Sequence, residues 1–401
     1  MPGFFNGVST VNPFFASKPV GTYVAALVLA VVHCVSLAAT TVQPQRDDEV
    51  LEVLPLVTRN RPVLSGPAKQ AAPDAVAAAT AARKDVAQAR QTGDTRYWGR
   101  AQSLLAPWWD RVDAPTDIAV LQATVQQGRH EFEAARKVLN AALARASSQT
   151  TAYAQGWLNL AALERLSGNY AQALAACMKV GQAGQTLYAQ ACQLETASLQ
   201  GEHQAATQGL QKLTGQARDG GQRAWLSSLQ AEALERWGRD ALAAQAYQRS
   251  LTFEPDLYTA IAYSDLSLRT GRPKDALSAL SASPDTDAVL LRRAAAWRQL
   301  DDVRWRSTLT VLQERTAELK RRGDDPTLHG RELALIALWL EDNPVGALAL
   351  ARQNLVLQRE PVDWWVALQS AKQAKDDAAL LALNAALRQS GLQDARLAMK
   401  P

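Results

Sequence analysis

Two cysteines near the middle of the chain are the pair whose type and spacing could do chemistry. Cys177 and Cys192 are 15 residues apart, on the second helix of one predicted helical pair and the first helix of the next. In an oxidising compartment this placement allows a disulfide between neighbouring pairs. The alternative is two buried thiols that pack as small apolar residues. Because no Cys-x-x-Cys motif accompanies them, a bridge here would be structural and not catalytic.

Other residues able to do chemistry are scattered along the sequence. There is no glycine-rich phosphate loop, no His-Glu-x-x-His, no Gly-x-Ser-x-Gly and no Cys/His cluster with metal-ligand spacing. The four histidines, at positions 33, 130, 203 and 329, are far apart in sequence. Carboxylate pairs such as Asp301-Asp302 lie at predicted turns, where helix capping explains them better than acid–base catalysis. We therefore predict no catalytic site, no metal and no cofactor.

Adjacent tryptophans are a further candidate for ligand binding. The chain contains the pairs Trp108-Trp109 and Trp364-Trp365. Neighbours on a helix cannot both face one side, so in each pair we expect one ring to pack and the other to be partly exposed. The exposed ring could cover an end of the structure or contact a ligand.

Composition excludes several classes of protein. Of the 401 residues, 43 are Lys or Arg and 39 are Asp or Glu, and the resulting net charge of +4 is too small for a nucleic-acid-binding surface. Only three cysteines are present, which excludes a disulfide-rich scaffold. Hydrophobic residues make up 47% of the chain, mostly Ala and Leu, and these two residues favour helices.

The first 40 residues are predicted to direct the chain out of the cytoplasm. Residues 20–42 carry no formal charge, follow Lys18 and span about the 20 residues that a bilayer requires. A signal peptide cleaved near Ser36-Leu37-Ala38 and an uncleaved inner-membrane anchor both fit this segment. In either case we expect the rest of the chain in the periplasm. Membrane contact is then confined to the N-terminal segment, if it stays uncleaved.

A linker and a long repetitive region follow. Residues 41–72 contain four prolines and little helical periodicity, which predicts a linker. In residues 73–392, glycines recur every 33 to 40 residues, at Gly93, Gly128, Gly168, Gly201, Gly238 and Gly271. Later turns replace glycine with Asp301-Asp302, Asp342-Asn343 and Lys375-Asp376. An alanine lies five residues after several turns, at Ala173, Ala206, Ala243, Ala276 and Ala347. Since glycine readily ends a helix and alanine lets two helices approach closely, each unit predicts a helical hairpin.

These hairpins resemble the tetratricopeptide repeat. The unit from Ala154 to Val180 has residues of that repeat at its spacing, namely Trp157, Leu160, Ala161, Gly168, Tyr170, Ala173 and Cys177. Residues 224–255 are similar, whereas the flanking units depart from the pattern. The stretch 93–109 also resembles uncharacterised exported bacterial proteins of this type. The resemblance implies an all-α, right-handed α-solenoid of about nine hairpins over residues 73–392, followed by a tail at 393–401.

Arrays of stacked helical pairs usually bind other chains on their concave side. The residues predicted to face that groove are Arg165, Glu232, Glu235, Arg236, Asp265 and Arg269. We therefore expect a non-catalytic, exported scaffold that binds partner proteins at the membrane or in the periplasm. The alternative is an accessory component of envelope biogenesis, in polysaccharide export or cytochrome maturation. A cell-wall lytic enzyme fits less well, because the repeats leave no room for a separate catalytic domain.

Overall fold

The computed structural model describes residues 74–148, 150–321 and 326–398. The predicted signal or anchor (1–40) and linker (41–72) lie outside the described residues. From Asp74 onward the chain belongs to one compact unit. The regular elements of the described residues are α-helices and short 3-10 helices, so the predicted all-α solenoid is confirmed.

In the described residues, eighteen α-helices follow one another as nine antiparallel pairs. They are α1 Ala75–Thr92, α2 Arg96–Leu105, α3 Thr116–Gly128, α4 Phe132–Leu143, α5 Thr151–Leu166, α6 Tyr170–Gln182, α7 Thr186–Leu199, α8 His203–Gln216, α9 Gly220–Arg236, α10 Asp240–Phe253, α11 Leu257–Arg269, α12 Pro273–Ala279, α13 Asp287–Gln299, α14 Arg304–Arg321, α15 Gly330–Trp339, α16 Pro344–Leu357, α17 Pro361–Gln373 and α18 Asp377–Ser390. The same described ranges also contain the short 3-10 helices Ala106–Trp108 and Pro326–His329. Each odd-numbered helix is the first helix of its pair.

The turn inside each hairpin needs a residue with positive φ. Gly168 and Gly238 supply it between α5 and α6 and between α9 and α10, with φ values of 79° and 75°. Asp301, Asp342 and Lys375 take the same left-handed conformation in the later hairpins, with φ of 55°, 51° and 55°. The sequence therefore located these turns correctly even where glycine is replaced.

The second hairpin differs from the predicted pattern. Its left-handed residue is His130, with φ of 62°, and not Gly128, which is the last residue of α3. A Cβ atom at position 128 would lie 2.7 Å from the ring of Trp98, so this glycine makes room for a buried tryptophan. Trp98 belongs to α2 of the first hairpin, where it stands at the position that holds a small residue in other hairpins, and Gly128 of the second hairpin accommodates it.

Small residues bring the two helices of a hairpin together. Each of the five predicted alanines is fully buried: Ala173, Ala206, Ala243, Ala276 and Ala347. Ala243, Ala276 and Ala347 belong to hydrophobic clusters with Leu and Ala side chains of adjacent helices. Because first helices pack on the first helices of neighbouring hairpins, they make one layer and the second helices make the other.

The C-terminal third closes onto the middle of the array. The backbone N–H of Arg359 donates to the carbonyl of Leu166 at the end of α5, at 2.7 Å. Gln393 N–H donates in the same way to Leu199 at the end of α7, at 2.8 Å. These carbonyls lack partners within their own helices, so the later segments satisfy them. In the part of the chain that the structure covers, none of the helices has both the length and the apolar character needed to span a bilayer.

Candidate binding cavity

First helices surround a cavity of about 150 Å³ on the inner side of the array. Side chains from α5, α7, α9, α11, α13, α15 and α17 line it, together with Tyr170, Tyr247, Arg359, Glu360 and Arg396. The lining combines arginines, carboxylates and aromatic rings. This combination can bind a small polar group next to an apolar one.

All six residues predicted to face a concave groove line this cavity: Arg165, Glu232, Glu235, Arg236, Asp265 and Arg269. The closure of the array surrounds them on more sides than an open groove would. They form ion pairs within the chain, for example Arg269 with Glu235 at 3.1 Å and with Asp240 at 2.6 Å. Contact with a partner protein stays a prediction for these residues.

Arg165 and Glu195 form a buried pair between α5 and α7. Arg165 Nη2 lies 2.9 Å from Glu195 Oε2, and each side chain is about 8% exposed. Burial raises the pKa of Glu195 to about 7, although the charge of Arg165 opposes this shift. The negative charge of Glu232 on α9 adds to the increase.

Arg236 is also buried, but its short hydrogen bonds go to a hydroxyl and not to a carboxylate. Its Nη2 and Nε atoms donate to the hydroxyl of Ser198 at 2.8 Å and 3.1 Å. The nearest carboxylate in an ion pair with it is that of Glu232, at 3.6 Å. Glu232 in turn accepts a 2.6 Å hydrogen bond from the hydroxyl of Tyr258.

Two further arginines were not predicted as site residues. Arg331 on α15 binds both carboxylate oxygens of Asp363, at 2.6 Å and 2.8 Å, and also Glu360 at 2.7 Å. Arg292 on α13 binds Asp265 through two hydrogen bonds of 2.8 Å and 3.0 Å. Both arginines lie in units that depart from the repeat consensus. The signal that could have found them is the recurrence of an arginine and a carboxylate about one repeat apart.

The described part of the predicted tail packs on the array. Arg396 pairs with Asp394 at 2.5 Å and with Glu235 of α9 at 3.4 Å. Ala395 N–H donates to the carbonyl of Arg236, and Leu397 is 5% exposed. The segment therefore forms part of the wall of the cavity, which the sequence did not indicate.

Aromatic side chains form the less polar part of the wall. The rings of Trp339 and Trp365 meet edge to face, with centroids 6.2 Å apart. Trp365 is partly exposed at the cavity while its neighbour Trp364 is buried, as the adjacent pair predicted. The hydroxyl of Tyr170 has no hydrogen-bond partner among the described residues, and burial raises its pKa to about 12.

The structure places the two predicted cysteines as a disulfide. Cys177 on α6 and Cys192 on α7 are joined, with their Cα atoms 5.6 Å apart and both side chains fully buried. The bridge links α6, the second helix of its hairpin, to α7, the first helix of the next hairpin. Arg165 Nη1 lies 3.5 Å from the sulfur of Cys192, so the disulfide is next to the cavity wall.

Two of the scattered histidines come together in space. The rings of His130 and His329 have centroids 5.9 Å apart, and Phe132 packs against His130 at 5.5 Å. His203 lies elsewhere, and burial lowers its pKa. No set of three or more His, Cys, Asp and Glu residues within the described ranges is arranged to hold a metal ion.

No protein-family model matches this chain, and no curated protein is detectably similar to it in sequence. The tetratricopeptide resemblance therefore rests on the residues that carry it and stays a prediction. What the structure itself supports is a helical-repeat solenoid with an internal cavity whose lining is charged and aromatic.

Proposed function

We propose that this protein is a non-catalytic, exported scaffold of the tetratricopeptide type that binds a partner polypeptide. The observation that carries the proposal is the convergence of first helices from seven consecutive hairpins on one cavity. Each of these seven hairpins contributes side chains to the same inner surface, which is how repeat arrays present a binding site. The six residues expected to face a partner lie together there.

The size of the cavity limits what part of a partner can enter. A volume of about 150 Å³ is too small for a helix, but it accommodates one side chain or the end of a chain. Arg359 is exposed at the edge of the cavity, and its side chain donates to the carbonyl of Leu355. We place the partner backbone across this edge, with one of its side chains inside.

Site-specific cross-linking in the producing cell tests this placement. A photo-cross-linking amino acid replaces Arg359 in one variant and Arg352 in its matched control. Arg352 is an exposed arginine on α16 that does not line the cavity. We expect a single polypeptide adduct from position 359, none from position 352, and loss of the adduct when Trp365→Ala is added.

Three results would contradict the proposal. The first is an equal yield of adducts from both positions, because the cavity edge would then have no special role. The second is the absence of any adduct from position 359. The third concerns the non-catalytic assignment, which cleavage of cell-wall material by the purified chain would overturn.

A further inference from the structure

The described part of the predicted tail, together with Leu392, runs along the array without forming a helix. Over residues 392–395 buried and exposed residues alternate, which is the pattern of an extended segment that lies on a surface. Leu392 and Leu397 are 4% and 5% exposed, and both belong to the hydrophobic cluster that contains Leu199 of α7. The tail therefore contacts the array in the way that a bound peptide contacts a groove.

The ends of the first helices supply this groove with backbone acceptors. The N–H of Gln393 donates to the carbonyl of Leu199 on α7, and the N–H of Ala395 donates to that of Arg236 on α9, both at 2.8 Å. Each of these carbonyls lies two residues before the left-handed glycine of its turn, as does that of Leu166 on α5. Three successive first helices thus present the same carbonyl, and the tail meets two of them with N–H groups on alternate residues.

Two turn glycines make room for the tail. A Cβ atom at Gly201, after α7, would lie 3.3 Å from Cγ of Gln393. A Cβ atom at Gly238, after α9, would lie 3.1 Å from Cβ of Ala395. Both distances are shorter than an ordinary van der Waals contact between carbon atoms. The two glycines therefore form the floor of the groove.

The charged groups at this contact keep partners when the tail leaves. Arg396 donates to both carboxylate oxygens of Asp394 within the tail, at 2.9 Å and 2.5 Å. Its contact with the array is a longer ion pair with Glu235, at 3.4 Å. Glu235 also pairs with Arg269 at 3.1 Å and accepts a 2.8 Å hydrogen bond from the hydroxyl of Tyr247. Because neither side is left with an unpaired buried charge, the tail is separable from the array.

The start of the tail is suited to act as a hinge. Gly391, which follows α18, is exposed and has a φ of 72°. Among the described residues, none other than its chain neighbours lies within 4 Å of the place where its Cβ would be. On the array side, Arg236 keeps its contacts with Ser198 and Glu232 when the tail moves away. Rotation at Gly391 therefore releases the tail while α18 stays packed.

We infer that the ends of α7 and α9 form a docking groove for an extended peptide, and that the tail is its displaceable occupant. A partner segment takes the same place by donating alternate N–H groups to Leu199 and Arg236 and by presenting a basic side chain to Glu235. An apolar side chain of the partner fills the position of Leu397. Arg359 covers the equivalent carbonyl of α5, so the groove begins next to the edge where we place the partner. The inference rests on the proposed function and specifies the kind of segment that the partner supplies.

Exchange of a synthetic tail tests whether this segment is a separable ligand. A site for a sequence-specific protease is inserted after Gly391 in the full chain, and the folded, purified chain is cut there. A fluorescent peptide with the sequence of residues 392–401 is added in excess, and fluorescence anisotropy follows its binding. We expect saturable exchange into the cut chain. Binding to the same chain left uncut should be at least about ten-fold weaker, because a tethered tail competes at a high effective concentration.

Modified peptides locate the contacts. A methyl group on the backbone nitrogen of Ala395 removes the hydrogen bond to Arg236, and Leu397→Ala removes a buried side chain. Each change should weaken binding at least about ten-fold. The matched controls are a methyl group on the nitrogen of Ala398, whose N–H donates to no described residue, and Gln393→Ala, which truncates an exposed side chain. Both control peptides should bind nearly as tightly as the unmodified one.

Displacement by a partner is tested by cross-linking in the producing cell. Leu397→Asp places a charge in an apolar cluster and should release the tail, whereas Ala398→Asp changes an exposed neighbour. With the photo-cross-linking amino acid at position 359, we expect Leu397→Asp to raise the yield of partner adduct at least about three-fold, because the groove is then free in more molecules. Ala398→Asp should leave the yield unchanged.

Several outcomes would overturn the groove. They are failure of the peptide to exchange, equal binding to the cut and uncut chains, and insensitivity to both the Ala395 methyl group and Leu397→Ala. Loss of the helical circular dichroism signal as the tail dissociates from the cut chain would also do so, since the tail would then be part of the core.

The remaining outcomes separate the groove from the partner. An unchanged adduct yield in Leu397→Asp would overturn displacement, and an adduct made only of two copies of this chain would overturn the assignment to a partner in favour of a second copy. If the peptide exchanges but position 359 gives no adduct, the proposed partner is wrong and the groove stands. If the adduct forms and no peptide exchanges, the reverse holds.

Discussion

The contact surfaces within hairpins and the wall of the cavity both contain fully buried residues, but of opposite types. Ala173 and Ala243 lie at hairpin contacts with no exposed surface. Arg292 and Arg331, at the cavity, are equally inaccessible, with 0% and 2% exposure. The hairpin contacts depend on side-chain size, whereas the cavity depends on charge pairs between segments that are distant in sequence.

The distances along the chain explain the difference. Arg292 binds a carboxylate 27 residues away, Arg269 one 34 residues away and Arg331 one 32 residues away. These separations are close to the length of one repeat, so the ion pairs connect first helices of successive hairpins. Packing within a hairpin can form as soon as its two helices meet. Each of these ion pairs, by contrast, needs two hairpins in the correct relative position.

Removing one of these buried ion pairs should have the largest effect on stability. Arg331→Met keeps most of the side-chain volume but leaves Asp363 and Glu360 without their shared counterion. We expect the free energy of unfolding to fall by about 4 kcal/mol, the usual cost of breaking a buried pair. Urea denaturation measures the loss, with Arg304→Met as the control, since Arg304 is exposed and pairs with Asp302 at the surface. Equal effects of the two substitutions would show that the cavity charges are not truly buried.

The pH dependence of stability tests the burial of Glu195 at the cavity. The pKa of Glu195 is about 7 in the folded chain, above its ordinary value of 4.5, so the folded chain holds this proton more tightly than the unfolded chain does. Its contribution to stability is therefore complete below pH 4.5 and is lost as pH rises through 7, by about 3 kcal/mol in total. Glu195→Gln should remove this part of the slope of unfolding free energy against pH, whereas Glu314→Gln should retain it. An unchanged slope in Glu195→Gln would contradict the buried environment.

The disulfide stabilises the junction between two hairpins. Replacing both Cys177 and Cys192 with Ala should lower the free energy of unfolding by about 3 kcal/mol, because the bridge closes a loop of 15 residues. Unfolding of the wild-type chain with and without reductant gives an independent value. Two free thiols in a non-reducing mass measurement of the purified chain would show that the bridge does not form.

A larger residue at a hairpin contact tests the packing side of the comparison. Ala243 on α10 is fully buried, whereas Ala241 on the same helix is exposed. Ala243→Leu should destabilise the chain by about 2 kcal/mol through overpacking, and Ala241→Leu should change stability little. The midpoint of urea unfolding measures both. Tolerance of leucine at both positions would mean that the two helices do not approach as closely as described.

Much of the architecture was predictable because it depends on local rules. Glycine or its replacements at the turns, such as Asp301 and Lys375, adopt the left-handed conformation that ends a helix. Alanines at fixed distances after the turns are buried as predicted. The exceptions are the first two hairpins: Trp98 occupies the position of a small residue in the first, and Gly128 of the second leaves space for its ring.

The candidate site was only partly predictable. The repeat register indicated which residues face inward, and all six predicted groove residues line the cavity. It did not indicate Arg331, Glu360 or Arg396, because these residues lie in degenerate units or in the tail. Their positions depend on how far the array curves, and curvature accumulates from small rotations between hairpins that no single unit specifies.

The sequence by itself determined the helices, the turns and the inward-facing side of the first helices α5, α9 and α11, because propensity and periodicity act over a few residues. Only the tertiary structure decided that the array closes, with Arg359 meeting Leu166 and Gln393 meeting Leu199. Closure converts an inner surface into a cavity and sets which acids share which arginines. The physical reason is that a buried charge is satisfied by geometry between distant segments, and that geometry exists only once the whole array has folded.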